Sequence, residues 1–192
     1  MKNLSNSYNQ AKAYTASAKL PAGAYKLKIK AVKLEEGKEG KSDVLIFAFD
    51  ICEGEFKDFF QQEFDANTNE DKKWKGTYRL YVPTEDGSDR DNWTMRRFKS
   101  VMTGFEEANN GFVWNWDESK LKGLIIGGVF GEREWEYNGR TGMRTECSYF
   151  CGLDYLAKAK IPAPKYLNKT SASTSEGFNT IPDDDADELP FG

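Results

Sequence analysis

Leu121 to Cys151 reads LKGLIIGGVFGEREWEYNGRTGMRTECSYFC. Two long strand-like runs, roughly Leu121 to Tyr137 and Thr141 to Cys151, meet at Asn138-Gly139. Asn-Gly accepts positive φ at both central turn positions, so between two such runs it is the strongest short-range hairpin signal. Gly127, Gly128 and Gly131 within the first run point to bulges or a sharp bend. Strand side chains alternate between faces, so Arg133, Trp135 and Tyr137 share one face. Arg140 sits in the turn and Arg144 just beyond it.

Upstream of this hairpin, Tyr25, Leu27, Ile29 and Ala31 alternate with Lys26, Lys28 and Lys30, a period of two with one apolar and one cationic face. Lysines so placed mark the solvated face of an edge strand, or extend a track for phosphates. The charged stretch Glu35 to Asp43 reads as a loop. Val44 to Ile51 is almost continuously apolar, as in a strand covered on both faces. Glu53-Gly54-Glu55 turns into a second apolar run, Phe56 to Phe64, and a strand resumes from Trp74 to Val82. One helix is strongly patterned. Phe98, Val101, Met102 and Phe105 fall at i, i+3, i+4 and i+7, behind Asp91 as a candidate cap and before Asn109-Asn110-Gly111. After Leu153 a short helical stretch stops at Pro162.

The order is strand, strand, strand, helix, strand, strand. This predicts a mainly β protein, a five-stranded OB-fold barrel with one helix between the third and fourth strands. Residues 1–19 read as a flexible N-terminal arm and 20–164 as the OB-fold domain. Residues 165–182, rich in Ser, Thr and Asn, are expected to be a disordered linker, and 183–192 an acidic tail.

The chain has 192 residues, 39% hydrophobic, 30% charged and 14% aromatic, enough for one domain with a packed core plus tails. No run approaches the roughly 20 apolar residues of a membrane-spanning helix. The N-terminus has no apolar segment of the kind a secretory signal carries. There is no histidine, which removes Ser-His and Cys-His nucleophile pairs and His-ligated metal sites. Cys52, Cys147 and Cys151 read as small buried hydrophobes. Paired carboxylates sit in charged loops or on a helix surface. No catalytic, metal-binding or cofactor-binding residue is assigned, and the chain is expected not to be an enzyme.

The net charge of -4 hides an uneven distribution. Residues 176–192 carry six acids and no base, leaving 25 acids against 27 bases elsewhere. The chain thus has a mildly basic body and a detached acidic end. The cationic face of the hairpin is interleaved with aromatics, and Trp74, Arg79 and Tyr81 form a similar group near the third strand. Cations that follow phosphates beside rings that stack on bases are the chemistry of single-stranded nucleic-acid binding. The candidate DNA-binding residues are therefore Lys26, Lys28, Lys30, Trp74, Arg79, Tyr81, Arg133, Trp135, Tyr137, Arg140 and Arg144. The alternatives are a β-rich structural or adaptor protein, with the rings in the core and the arginines paired to Glu132, Glu134 and Glu136, and a carbohydrate-binding barrel. Bases beside the rings favour nucleic acid over sugar. At the C-terminus, Asp183, Asp184, Asp185, Asp187, Glu188, Leu189, Pro190 and Phe191 read as a partner-binding motif, with Phe191 as the anchor.

This tail resembles that of bacterial-type single-stranded DNA-binding proteins, whose acidic ends finish in Asp-Ile-Pro-Phe. Here Leu189 replaces Ile, and Gly192 follows Phe191. The body is similar to phage and mobile-element single-stranded DNA-binding proteins in LPAGAYKLKIKAV (20–32) and GVFGEREWEYNGRTGMRT (128–145). The resemblance implies an OB-fold that coats single-stranded DNA and recruits replication or recombination proteins through the tail, in the cytoplasm of a bacterial host cell. A homo-oligomer is left open as its assembly.

Overall fold

A computed structural model describes residues 19–38 and 41–167. The strands are β1 (Gly23–Glu35), β2 (Val44–Ile51), β3 (Thr77–Tyr81), β4 (Ile125–Tyr137) and β5 (Arg140–Cys151). Helix α1 (Phe59–Ala66) follows β2, α2 (Asp89–Ala108) lies between β3 and β4, and α3 (Leu153–Leu156) follows β5. A 3-10 turn at Glu118–Leu121 leads into β4. The five strands form one antiparallel sheet in the order β3-β2-β1-β4-β5. Strand number, the succession of strands along the chain and the place of α2 are those expected from the sequence; the closure expected of a barrel is not made.

The sheet curls without closing. No backbone ladder joins its edge strands β3 and β5; side chains bridge the seam instead. The ring of Tyr78 lies 4.3 Å from that of Phe150, and Arg97 Nη2 of α2 donates to Tyr78 Oη at 2.7 Å and to the Ser148 carbonyl at 3.3 Å. Inside the curl, Phe47 stacks on Phe105 and Phe49 meets Phe130 edge-on. These four rings are fully buried. Every residue of β2 is buried, as its unbroken apolar run predicts. No described helix is long and apolar enough to cross a membrane.

Four local readings are corrected by tertiary context. The Phe56 to Phe64 run is not a strand, because Phe59, Phe60 and Phe64 line a helix that drops Phe60 against Phe49 and Phe130. A short apolar run has no decisive period of its own. The helix begins there because buried Asp50 of β2 accepts from the amides of Phe60 (3.0 Å) and Gln61 (3.1 Å), besides that of Ile51 (2.9 Å). Burial pushes the Asp50 carboxyl above its ordinary value, and the three amide bonds oppose that rise.

Second, β1 is not an edge strand. It runs between β2 and β4, so its lysines have no role in blocking edge pairing. Third, α2 is capped by Ser88, whose hydroxyl accepts from the Asp91 amide; Asp91 turns inward to accept from the Thr84 amide and hydroxyl. Fourth, the folded body passes the expected boundary at 164. Lys165 bonds through its backbone to Glu132 and Glu134 of β4, and the Leu167 amide donates to Glu134. That stretch of β4 extends past Phe130, where its ladder with β1 ends, so its backbone groups accept another partner. Residues 1–18, most of the linker and the acidic tail lie outside the described residues.

Candidate nucleic-acid interface

Beyond Phe130, β4 and β5 continue as a two-stranded ribbon that outruns the rest of the sheet. Its turn has Asn138 at φ 49° and Gly139 at φ 72°, the two left-handed residues that Asn-Gly supplies. Register places Arg133 opposite Arg144, Trp135 opposite Gly142 and Tyr137 opposite Arg140, so all six residues share one face. The indole of Trp135 lies over Gly142: a Cβ there would come within 2.8 Å of its Cζ2. Glycine therefore seats the ring on the backbone, with 36% of the residue exposed, while Tyr137 is 72% exposed. Neither belongs to the core cluster.

The glutamates of β4 do not neutralise these arginines, because they point to the opposite face. Glu132 pairs with Lys19 at 2.7 Å, and Glu134 accepts from the Leu167 amide. Glu146 of β5 is the acid on the arginine face, 3.4 Å from Arg133 and 3.1 Å from Arg144. Arg140, at the tip, has no ion-pair partner among the described residues. Lys165 bridges in register with Arg133 and adds a further cation to this face.

The third-strand group separates. Trp74 precedes β3, and its Nε1 donates to the Phe49 and Gly76 carbonyls, both at 3.1 Å, with the ring against Phe64. That ring is pinned against the core. Arg79 and the exposed Tyr81 lie on the outward face of β3; Arg79 pairs with Glu35 at 2.9 Å. Cross-strand register puts Lys33, Ile46 and Arg79 in one row. Lys28 is exposed on this surface, Lys26 pairs with Glu53 at 3.0 Å, and Lys30 is the extra residue of a β-bulge. Lys28 pairs with Ile125, eight residues from Arg133, about 26 Å at ~3.3 Å per residue. The sheet therefore carries two cation-aromatic patches at opposite ends of its strands.

No protein-family model and no curated protein matches the sequence. Among solved structures the chain is similar to one described as yeast RPA bound to ssDNA, at 14% identity and a TM-score of 0.29, covering 82% of this chain and 94% of that one.

The three cysteines are half-buried and unbridged, and burial raises all three thiols above their ordinary range, Cys147 well above it. Burial thus disfavours the thiolate form at each of them. Four exposed rings escaped the sequence reading: Tyr155, Tyr166, Trp93 on α2, and Trp116, which stacks on Phe98 at 5.8 Å and 11°. Trp93 lies in a helix whose core face dominates the pattern. Lys165 was hidden by the polar composition of the linker.

Proposed function

We propose that the protein is a non-catalytic, sequence-nonspecific single-stranded DNA-binding module. The ribbon face carries this reading: Trp135 seated on Gly142 and the exposed Tyr137 stand among Arg133, Arg140, Arg144 and Lys165. Rings accept any base because every base has a π-face, and the cations meet the phosphates. The Lys28, Lys30, Arg79 and Tyr81 surface extends the contact for longer strands. The test is a titration of labelled oligothymidine against salt, with single-stranded and duplex competitors. Single strands compete far better than duplex, and affinity falls steeply as salt rises because neutralised phosphates release counterions. A flat salt response or equal affinity for duplex overturns the reading.

The module acts in phage or mobile-element DNA replication or recombination, within the cytoplasm of a bacterial host cell. The acidic tail, Asp183 to Phe191, recruits partner enzymes, with Phe191 filling a pocket and the acids meeting bases around it. Deleting residues 183–192 is expected to leave the melting temperature and DNA binding intact while abolishing capture of replication or recombination proteins. Phe191→Ala reproduces most of that loss. Unchanged partner binding after deletion reduces the tail to a solubilising appendage.

A further inference from the structure

Helix α2 carries an aromatic and cationic surface that the ribbon does not include. Trp93 is 51% exposed, although the helix buries Phe98, Val101, Met102 and Phe105 on its other side. The Arg97 guanidinium lies 5.2 Å from the Trp93 ring centroid and 5.8 Å from that of Tyr78. Its bonds to Tyr78 Oη and the Ser148 carbonyl hold it there, so the cation is positioned before any ligand arrives. Arg90 and Arg96, each three residues from Trp93, lie on the same exposed side of the helix; Arg90 feels the charge of Asp86, and Arg96 has no ion-pair partner among the described residues. Asp89 is the exposed acid of the first turn, while Asp91 is turned inward onto Thr84. The patch is net positive around an exposed indole.

Its place in the fold sets its use. Arg97 stands at the open seam between β3 and β5. Ser148 is four residues from Arg144 along β5, about 13 Å at ~3.3 Å per residue. OB-fold sites on single strands cover roughly 4–16 nucleotides, enough to reach from the ribbon to the seam.

We propose that Trp93, with Arg90, Arg96 and Arg97, forms a second contact for single-stranded nucleic acid. A strand leaving the ribbon crosses the β3–β5 seam and stacks a base on Trp93, its phosphates held by the α2 arginines. Charge complementarity and the cation-bearing ring favour a polyanion with aromatic bases over a protein partner. This inference rests on the single-stranded DNA reading above, and the experiment separates the two.

Fluorescence anisotropy is run with an oligothymidine of about 30 nucleotides, long enough to span both patches, on wild type, Trp93→Ala, Trp93→Phe, Arg96→Glu and Tyr137→Ala. Trp93→Ala and Arg96→Glu are expected to weaken binding about tenfold, with the Arg96→Glu deficit shrinking at high salt. Trp93→Phe retains a stacking ring and stays near wild type. Arg96 is exposed and has no ion-pair partner among the described residues, so its variant reports on binding even where a Trp93 variant loses stability. If Trp93→Ala and Arg96→Glu bind like wild type while Tyr137→Ala is weakened, the second contact is refuted and the ribbon reading stands. If wild type shows no affinity for the oligonucleotide, both are refuted.

Discussion

Tyr137→Ala and Trp135→Ala are each expected to weaken binding of single-stranded DNA by about 1–3 kcal/mol, roughly 5- to 150-fold in dissociation constant. Both rings stand on the ribbon, clear of the core cluster, so their removal leaves the folded body without a cavity. Melting temperature therefore stays nearly constant while affinity falls. Tyr137 gives the cleaner result, since it is 72% exposed. Trp135 also covers the backbone at Gly142, and its loss bares that strand to water. Gly142→Val checks the geometry independently. The added side chain displaces the indole from its seat, so binding should drop although every aromatic and every cation is retained. The measurement is anisotropy with oligothymidine alongside thermal denaturation. A variant that unfolds early yet binds normally would mean that the rings serve only to cover the ribbon.

The largest stability effect is expected at Asp50. Its carboxylate is 1% exposed and accepts three backbone amides, two of them in the first turn of α1. Asp50→Ala orphans these donors, at about 1–3 kcal/mol for each that stays buried, partly relieved where water enters. A net loss of about 3–5 kcal/mol is a large part of the roughly 5–15 kcal/mol that holds a domain together. Melting should fall by about 10 °C. Asp50→Asn keeps one acceptor oxygen in place of two and should lie between. Equal stability of all three proteins in urea denaturation would show that α1 needs no cap from β2. Affinity for an oligothymidine short enough to engage the ribbon alone, measured well below melting, should be unaffected, because Asp50 pairs with Lys28 at the far end of the sheet from the ribbon.

Local chemistry was sufficient wherever one segment settles its own conformation. Asn138-Gly139 accepts two positive φ angles and so makes the hairpin. The parity of Arg133, Trp135 and Tyr137 follows from strand geometry, and the i, i+3, i+4, i+7 spacing from Phe98 to Phe105 makes α2. The unbroken run from Val44 to Ile51 marks a strand buried on both faces. From these elements the five-stranded architecture and the ribbon's cation-aromatic face were legible.

What the sequence could not settle depends on which element meets which. Trp74 and Tyr81 look alike as aromatics near β3, but only the folded chain brings the Phe49 and Gly76 carbonyls to the Trp74 indole. The lysines of β1 suggest an edge; the ladders on both sides of β1 make it central. The bulge at Lys30 shifts parity, so Lys33, not Ala31's neighbours, continues the outward cationic row beside Arg79. Glu146, rather than the glutamates of β4, reaches the ribbon arginines, because facing residues on antiparallel strands share a side while sequence neighbours do not. Lys165 joins that face through a backbone bridge its polar surroundings do not announce. Periodicity along a segment records which of its residues lie together on one side. Register, bulges and crossovers between distant segments decide what that side touches, and these are properties of the assembled sheet alone.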